Sequence, residues 1–320
     1  MSTAPFDHPL LRRAVAAAVR APSMHNSQPW LFALRDGAIE VRSDAGRQLA
    51  VADSTGWAIR LACGAAVFNA RLVLAVNGTP ADVRFRPDPA QPDLLARLTP
   101  ARRRPATYEE HALHAAIPHR ASNRRPFWPH PVPTDVRMRL IEAARADGGW
   151  LELLVGTTAL TGFAEITRSA DRVLRRDPRY QAEMAGWTHV EAAPDGVPVM
   201  AGAPVTEPQD LLPQRPFSDR RRAPGRDFEP EPLIAVLGVV GDLPADQLRA
   251  GQVLQHVLLA ITDAGLASSM ISQPIEVPAA RDQLRRSLRR AGVPQMALRI
   301  GYGDPSRPTP RRAVDDVLTS

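Results

Sequence analysis

Residues 20–30 read RAPSMHNSQPW. Pro22 cannot donate to a helix ladder and pushes Ala21 toward extended backbone, so a helix arriving here stops near Ala21. Ser23, His25, Asn26, Ser27 and Gln28 then place five hydrogen-bonding side chains in six positions, beside backbone N–H groups that no helix satisfies. A turn in which Ser23 bonds its own backbone would use part of that polarity. The whole string exceeds what a turn requires and predicts a ligand-facing loop.

Outward from this loop the chain reads as mixed α and β. Asp7 to Pro9 cap and start a helix whose apolar stripe is Leu10, Leu11, Ala14, Val15 and Ala18. Residues 30–34 and 38–41 alternate around Asp36-Gly37, the pattern of a tight hairpin. Residues 58–76 form a long apolar helix ending at Asn77-Gly78, a left-handed cap. A strand near 83–85, a proline-rich connection and a polar helix near 105–115 complete the first part. Farther on, a helix over 134–146 leads to GGWLELL (148–154), which repeats QPWLFAL (28–34) with Trp150 in place of Trp30 and no polar loop. Residues 233–240 read as a buried strand, 251–265 as a helix and 295–301 as a last strand ending in Gly-Tyr-Gly.

Gly64 and Gly251, and likewise Gly78 and Gly265, lie 187 positions apart, with similar amphipathic helices between them. Two buried helices can look alike by chance; taken with the repeated tryptophan segment, the pairing predicts a tandem duplication with halves 1–117 and 118–320. Residues 185–230 have no counterpart. They are rich in Pro, Gly and Arg with little periodicity, which predicts a lid-like insert and not a packed element. Trp187 and His189, near its start, are candidates to face a ligand.

The 320 residues carry 40 basic side chains, all arginine, against 34 acidic ones, a net charge of +6. Without lysine there is no Walker lysine and no Schiff-base chemistry. The arginines are spread among acids, and no recognition motif argues for nucleic acid. The single cysteine, Cys63, excludes an internal disulfide and a multi-cysteine metal site, and reads as a small core residue. No histidine spacing suggests a metal. The most apolar run, 61–76, is broken by Asn69 and Arg71, so no membrane span and a cytoplasmic protein are expected.

The string A-P-S-x-x-N-x-Q-P-W after a first helix resembles the FMN-dependent nitroreductase superfamily, in its mycobacterial Acg-like branch. HRASNRRPF (119–127) resembles that superfamily's R-x-S-x-R-x-F string, with Phe127 one residue late, so that Arg124 and Arg125 compete for one position. The terminal GYG followed by Arg311-Arg312 resembles its C-terminal tail. The resemblance implies an α+β nitroreductase-like fold, duplicated into a pseudo-dimer within one chain, which remains monomeric or pairs further as a homodimer. It implies an FMN site built from Pro22, Ser23, Met24, Asn26 and Gln28, from Arg120, Ser122 and Arg124, from a backbone donor at Ser272 or Gln273 in LASSMISQ (266–273), and from Arg311 or Arg312 on the phosphate. Guanidinium groups suit both ends of such a cofactor, gripping phosphate in a fork and favouring the anionic reduced ring.

The activity implied is hydride transfer from NAD(P)H to FMN and on to a small planar acceptor of nitro or quinone type. This chemistry requires no catalytic side chain, in keeping with the lack of paired carboxylates or a Ser/His/Asp set; His25 has a suggestive place, though no proton role is required of it. The rival reading is an FMN-sequestering store whose insert occludes the flavin.

Overall fold

A computed structural model of the chain describes residues 5–319 apart from 192, 216, 224 and 226. In chain order its main elements are α1 (His8–Ala18), β1 (Trp30–Arg35), β2 (Ala38–Ser43), α2 (Trp57–Val76), β3 (Ala81–Phe85), β4 (Leu94–Pro100) and α3 (Tyr108–Ala116). There follow α4 (Thr134–Ala146), β5 (Trp150–Leu154), α5 (Thr157–Arg176), α6 (Pro178–Gly186), β6 (Thr188–His189) and β7 (Val197–Pro198). The chain closes with β8 (Leu233–Val239), α7 (Pro244–Asp263), β9 (Ala267–Ile271), α8 (Gln273–Glu276), α9 (Pro278–Ser287) and β10 (Val293–Gly301).

The fold is α+β, with two antiparallel four-stranded sheets in the orders β1-β2-β4-β3 and β5-β8-β10-β9. With α5 to β7 and α8 to α9 set aside, each sheet is built in the same sequence of steps: helix, strand, strand, long helix, strand, strand. Trp30 and Trp150 open the two equivalent strands, both buried. The Asp7 carboxylate accepts from Leu10 N at 2.8 Å and so starts α1. Asp36 and Gly37 are both left-handed, at φ 50° and 70°, which closes the β1–β2 hairpin in the sense its twist requires.

The two long helices α2 and α7 pack side by side at the centre. A Cβ added at Gly64 would come within 2.0 Å of the Leu248 carbonyl, and one at Gly251 within 2.1 Å of the Leu61 carbonyl. Only glycine permits that approach. Arg60 Nε donates to Gln247 Oε1 at 2.6 Å. Arg60 and Gln247, like Gly64 and Gly251, lie 187 positions apart in the sequence. Asn69 and Gln255 bond farther along, so the helices run in the same direction. Their cores interleave: Leu61 of α2 sits in the second sheet's cluster, and Leu248 and Leu259 of α7 in the first. Gly78 and Gly265 cap the two helices at φ 73° and 69°. Among the described residues, α2 alone is long and apolar enough to cross a membrane, and most of it is buried in this core.

Three features depart from the sequence expectations. Strand β4 occupies a stretch read as a connection, and α5 and most of α6 occupy one for which no element was read. Residues 185–230, expected to be unpacked, are mostly irregular yet tightly held: Val197 and Phe217 cluster with Tyr180 and Met184, and Arg222 pairs with Asp210 at 2.8 Å. Finally, the tail after β10 returns to the first half, where Phe32 N donates to Val317 O and Thr319 N to Phe32 O, each at 2.8 Å.

Candidate functional site

The loop after α1 is held in a conformation its residues do not favour. His25, Asn26 and Gln28 all have left-handed backbones, at φ 50°, 56° and 52°, and such non-glycine residues persist only where their surroundings over-determine them. The surroundings here are the insert and the tail. Asn26 Nδ2 donates to Gly196 O at 2.9 Å and Pro310 O at 3.0 Å. Gln28 Nε2 donates to Pro194 O at 2.8 Å, and its Oε1 accepts from Arg312 N at 2.8 Å. Within the loop, Ser23 Oγ accepts from Gln28 N at 2.9 Å.

Beside this loop lies a cavity with about 790 Å³ of empty space, counting its open mouth. One wall is Pro22 to His25, another the first turn of α2 at Trp57 and Leu61, a third the end of β9 from Met270 to Gln273, and the roof is Pro213 to Arg215 with Phe217 from the insert. A smaller cleft of about 420 Å³ adjoins it, sharing Pro22, Ser23, Arg124 and Met270 and adding Asn26, Arg120, Ser122, Thr309 and Arg311. The segment that brings in the arginines is laid along β9, where Ser122 bridges Ser268 and Asn123 N donates to Ser268 O at 2.7 Å.

The charge in the cleft is unbalanced. Among the described residues Arg120 bonds only the Arg20 carbonyl, at 3.4 Å, Arg124 the Ala201 carbonyl at 3.1 Å, and Arg311 the Ala21 carbonyl at 3.2 Å together with carbonyl and hydroxyl oxygens of its own loop. No carboxylate among the described residues pairs with any of them, and the Nε atoms of Arg120 and Arg311 are buried without a partner. Burial, and then Arg124, pushes Arg120 down to about 10; burial, and then Arg215, pushes Arg124 to about 10; burial, with Arg120 and Arg20, pushes Arg311 to about 9. A guanidinium does not lose its proton at neutral pH, so these shifts express the electrostatic cost of three crowded cations that an anion would relieve. Arg215 in the roof differs: against its burial, Glu276 and Tyr180 raise it, and it bonds both as well as Ser272 Oγ.

Of the expected site residues, the structure brings together Pro22, Ser23, Met24, Asn26, Arg120, Ser122, Arg124, Ser272, Gln273 and Arg311. Between the alternatives, Arg124 lines both cavities whereas Arg125 is exposed, and Arg311 lines the cleft whereas Arg312 turns away to Asp44 at 3.4 Å and to the Asp316 carbonyl. Gln28 reaches neither cavity, because its amide is consumed in joining loop, insert and tail. Phe127 packs under Arg299 at 3.9 Å and is part of the framework. Trp187 and His189 line neither cavity; Trp187 lies against Arg47, and His189 Nε2 is 3.6 Å from Asp195. Cys63 is buried, its thiol pushed up by burial. Trp57, Leu254, Arg215 and Phe217 line the larger cavity and went unread in the sequence. Two lie on apolar helices and two in a segment without periodicity.

No family model matches the sequence. A Mycobacterium tuberculosis protein provisionally named NAD(P)H nitroreductase Rv3131 is 34% identical over 98% of this chain and 92% of its own. The M. tuberculosis protein provisionally named NAD(P)H nitroreductase acg is 31% identical over 97% and 95%. Among solved structures, a nitroreductase with bound FMN from Desulfitobacterium hafniense aligns over 65% of this chain and 97% of its own, at 11% identity and a TM-score of 0.42. The FMN-dependent nitroreductase NfnB from Mycobacterium smegmatis in complex with NADPH aligns over 65% and 92%, at 18% identity and a TM-score of 0.39. The assignment rests on the full-length relatives: this chain belongs to the NAD(P)H nitroreductase family of those mycobacterial proteins.

Proposed function

We propose that the chain binds one FMN and transfers hydride from NAD(P)H to a small planar acceptor of nitro or quinone type. The observation that carries this reading is the arginine set, unpaired with any carboxylate among the described residues, beside a largely apolar cavity, the pairing of charge and apolar surface that a ring bearing a phosphate calls for. When bound, FMN accepts a hydride from the reduced nicotinamide and yields it to the acceptor.

Arg120 and Arg311 would neutralise the phosphate, with Ser122 as a further donor; their buried, unbonded Nε groups are the donors such a group would satisfy. Arg124, shared by the two cavities, would set positive charge against the ring. Trp57, Leu61 and Leu254 offer an apolar bed, and the end of β9 at Ser272 and Gln273 the backbone edge. The insert's Pro213 and Phe217 would exclude water. The repeated strand order and the counterpart contacts support a duplicated pseudo-dimer. The polar loop and the arginine string each occur once, which supports one site per chain. The partners are small molecules, with no nucleic acid or membrane, and the chain acts as a monomer or pairs further.

The roof also favours a second reading, an FMN store with negligible turnover, because Arg215 ties the insert to Glu276 and Ser272 beside the cavity. An absorbance spectrum of the purified protein before and after anaerobic NADPH tests both. Flavin bands that bleach support the oxidoreductase, bands that persist support the store, and a protein that neither contains nor takes up FMN refutes both.

A further inference from the structure

His25 is only 5% exposed, and both of its ring nitrogens are buried without a hydrogen-bond partner. A neutral imidazole carries one donor and one acceptor, and leaving them buried and unbonded is costly. Its neighbours Asn26 and Gln28 are held in the same left-handed backbone by side-chain bonds to insert and tail; His25 has the strained backbone without the bonds. Its ring lines the larger cavity and is absent from the walls of the arginine cleft. It meets Phe217 of the roof edge-on at 5.7 Å. Arg124 and Arg215 line the same cavity.

We infer that His25 hydrogen-bonds the oxygen of the electron acceptor, so that the site takes flat rings bearing a carbonyl or nitro oxygen. The inference rests on the oxidoreductase reading and adds to it the residue that holds the acceptor. Burial, then Arg215 and Arg124, holds the imidazole well below its ordinary pKa, so it meets the acceptor as a neutral donor. Two cations beside that donor favour an oxygen on which negative charge builds. With a quinone, the two electrons and one hydrogen that leave the reduced nicotinamide as hydride, oxidising it, arrive with the hydrogen bonded to one quinone oxygen; the ring becomes aromatic, the other C=O π pair moves onto the second oxygen, and the hydroquinone monoanion takes a proton from water. The imidazole keeps its own proton throughout. Its contribution is a hydrogen bond that strengthens as the oxygen becomes anionic.

The test compares His25→Ala and His25→Gln with the parent, using NADPH with 1,4-benzoquinone or with ferricyanide, which accepts single electrons and offers no ring oxygen. His25→Ala is expected to lower kcat/KM for benzoquinone by about tenfold to a hundredfold, well beyond any fall in the ferricyanide rate. His25→Gln, which restores a neutral donor, should recover much of the loss. In parallel, the protein with ¹⁵N-labelled histidine is titrated with hydroquinone and followed by NMR; the resonance that disappears in His25→Gln should be the one that moves. That titration requires no turnover and reads His25 even if the protein proves to hold no flavin. An equal fall for both acceptors, loss of FMN from the variants, or a His25 resonance indifferent to hydroquinone would overturn the inference.

Discussion

The protein buries arginines in two regions and treats them in opposite ways. In and beneath the insert, Arg222 and Arg299 have almost wholly enclosed side chains and carboxylate partners: Arg299 meets Glu229 at 2.9 Å and stacks on Phe127, and Arg222 meets Asp210 at 2.8 Å and Glu207 at 2.9 Å. Beside the left-handed loop, Arg120, Arg124 and Arg311 are enclosed with carbonyl contacts and no acid. Burial alone therefore does not separate structural from functional arginine. The distinguishing feature is whether the chain supplies the counter-charge itself or leaves it to a ligand, and the cost of the second choice is borne by the ligand-free protein.

The sharpest way to break this comparison is to remove one acid from the first region and one base from the second. Glu229→Ala leaves Arg299 buried and uncompensated, a loss of about 3–5 kcal/mol, and should lower the thermal midpoint of the ligand-free protein on the order of 5–15 °C. Arg120→Gln removes a charge that nothing compensates, so the ligand-free midpoint should hold or rise. If calorimetry finds both variants equally destabilised, the two regions are alike and the contrast fails.

The next effect is on binding. Each charge-assisted contact to phosphate contributes roughly 1.5–3 kcal/mol, so Arg311→Ala should weaken FMN by about tenfold to a hundredfold in a fluorescence titration. Arg312→Ala, at an arginine engaged with Asp44, should change it no more than about threefold. Riboflavin, lacking the phosphate, should bind the parent and Arg311→Ala alike. A parallel loss of riboflavin would move Arg311 away from the phosphate.

The smallest effect concerns pH. His25 stays neutral in the folded protein under burial, Arg215 and Arg124, whereas in the unfolded chain it protonates near its ordinary value. Below that value the unfolded state binds the extra proton, so stability present above about pH 6.5 is lost as pH falls, by up to about 1.4 kcal/mol per unit. Urea denaturation of the ligand-free protein between pH 7.5 and 5 should show a shallower pH dependence for His25→Gln than for the parent. Identical slopes would mean that His25 takes its proton in the folded state too.

Much of this was legible in the sequence where local chemistry and final role coincide. The Pro22 break, the Asp36-Gly37 turn and the Gly64–Gly251 spacing each name a backbone requirement that few residues meet. Less legible were elements defined by distant contacts. LLARLTP (94–100) alternates poorly because β4 is a central strand buried on both faces at Leu94 to Ala96 and Leu98, and a short apolar run after prolines gives no period to read. Gln28 has the same polarity as its neighbours in the loop; only the arrival of Pro194 and Arg312 decides that it is a clip. Arg215 sits in a stretch with no periodicity, and its tie to Glu276, 61 residues on, has no local signal.

The returning tail has a consequence for how the protein is made. The loop at Pro22 leaves the ribosome well before the tail, for Arg311 and the Pro310 carbonyl that Asn26 grips come some 290 residues later. At roughly 5–20 residues per second this is a delay of about 15–60 s. Until then the strained loop has neither its clasp nor its full complement of charge, and phosphate affinity should arise only once the tail has been made. Cofactor loading would thus report on chains that carry the tail, and a nascent chain stalled before it should be unable to retain the cofactor.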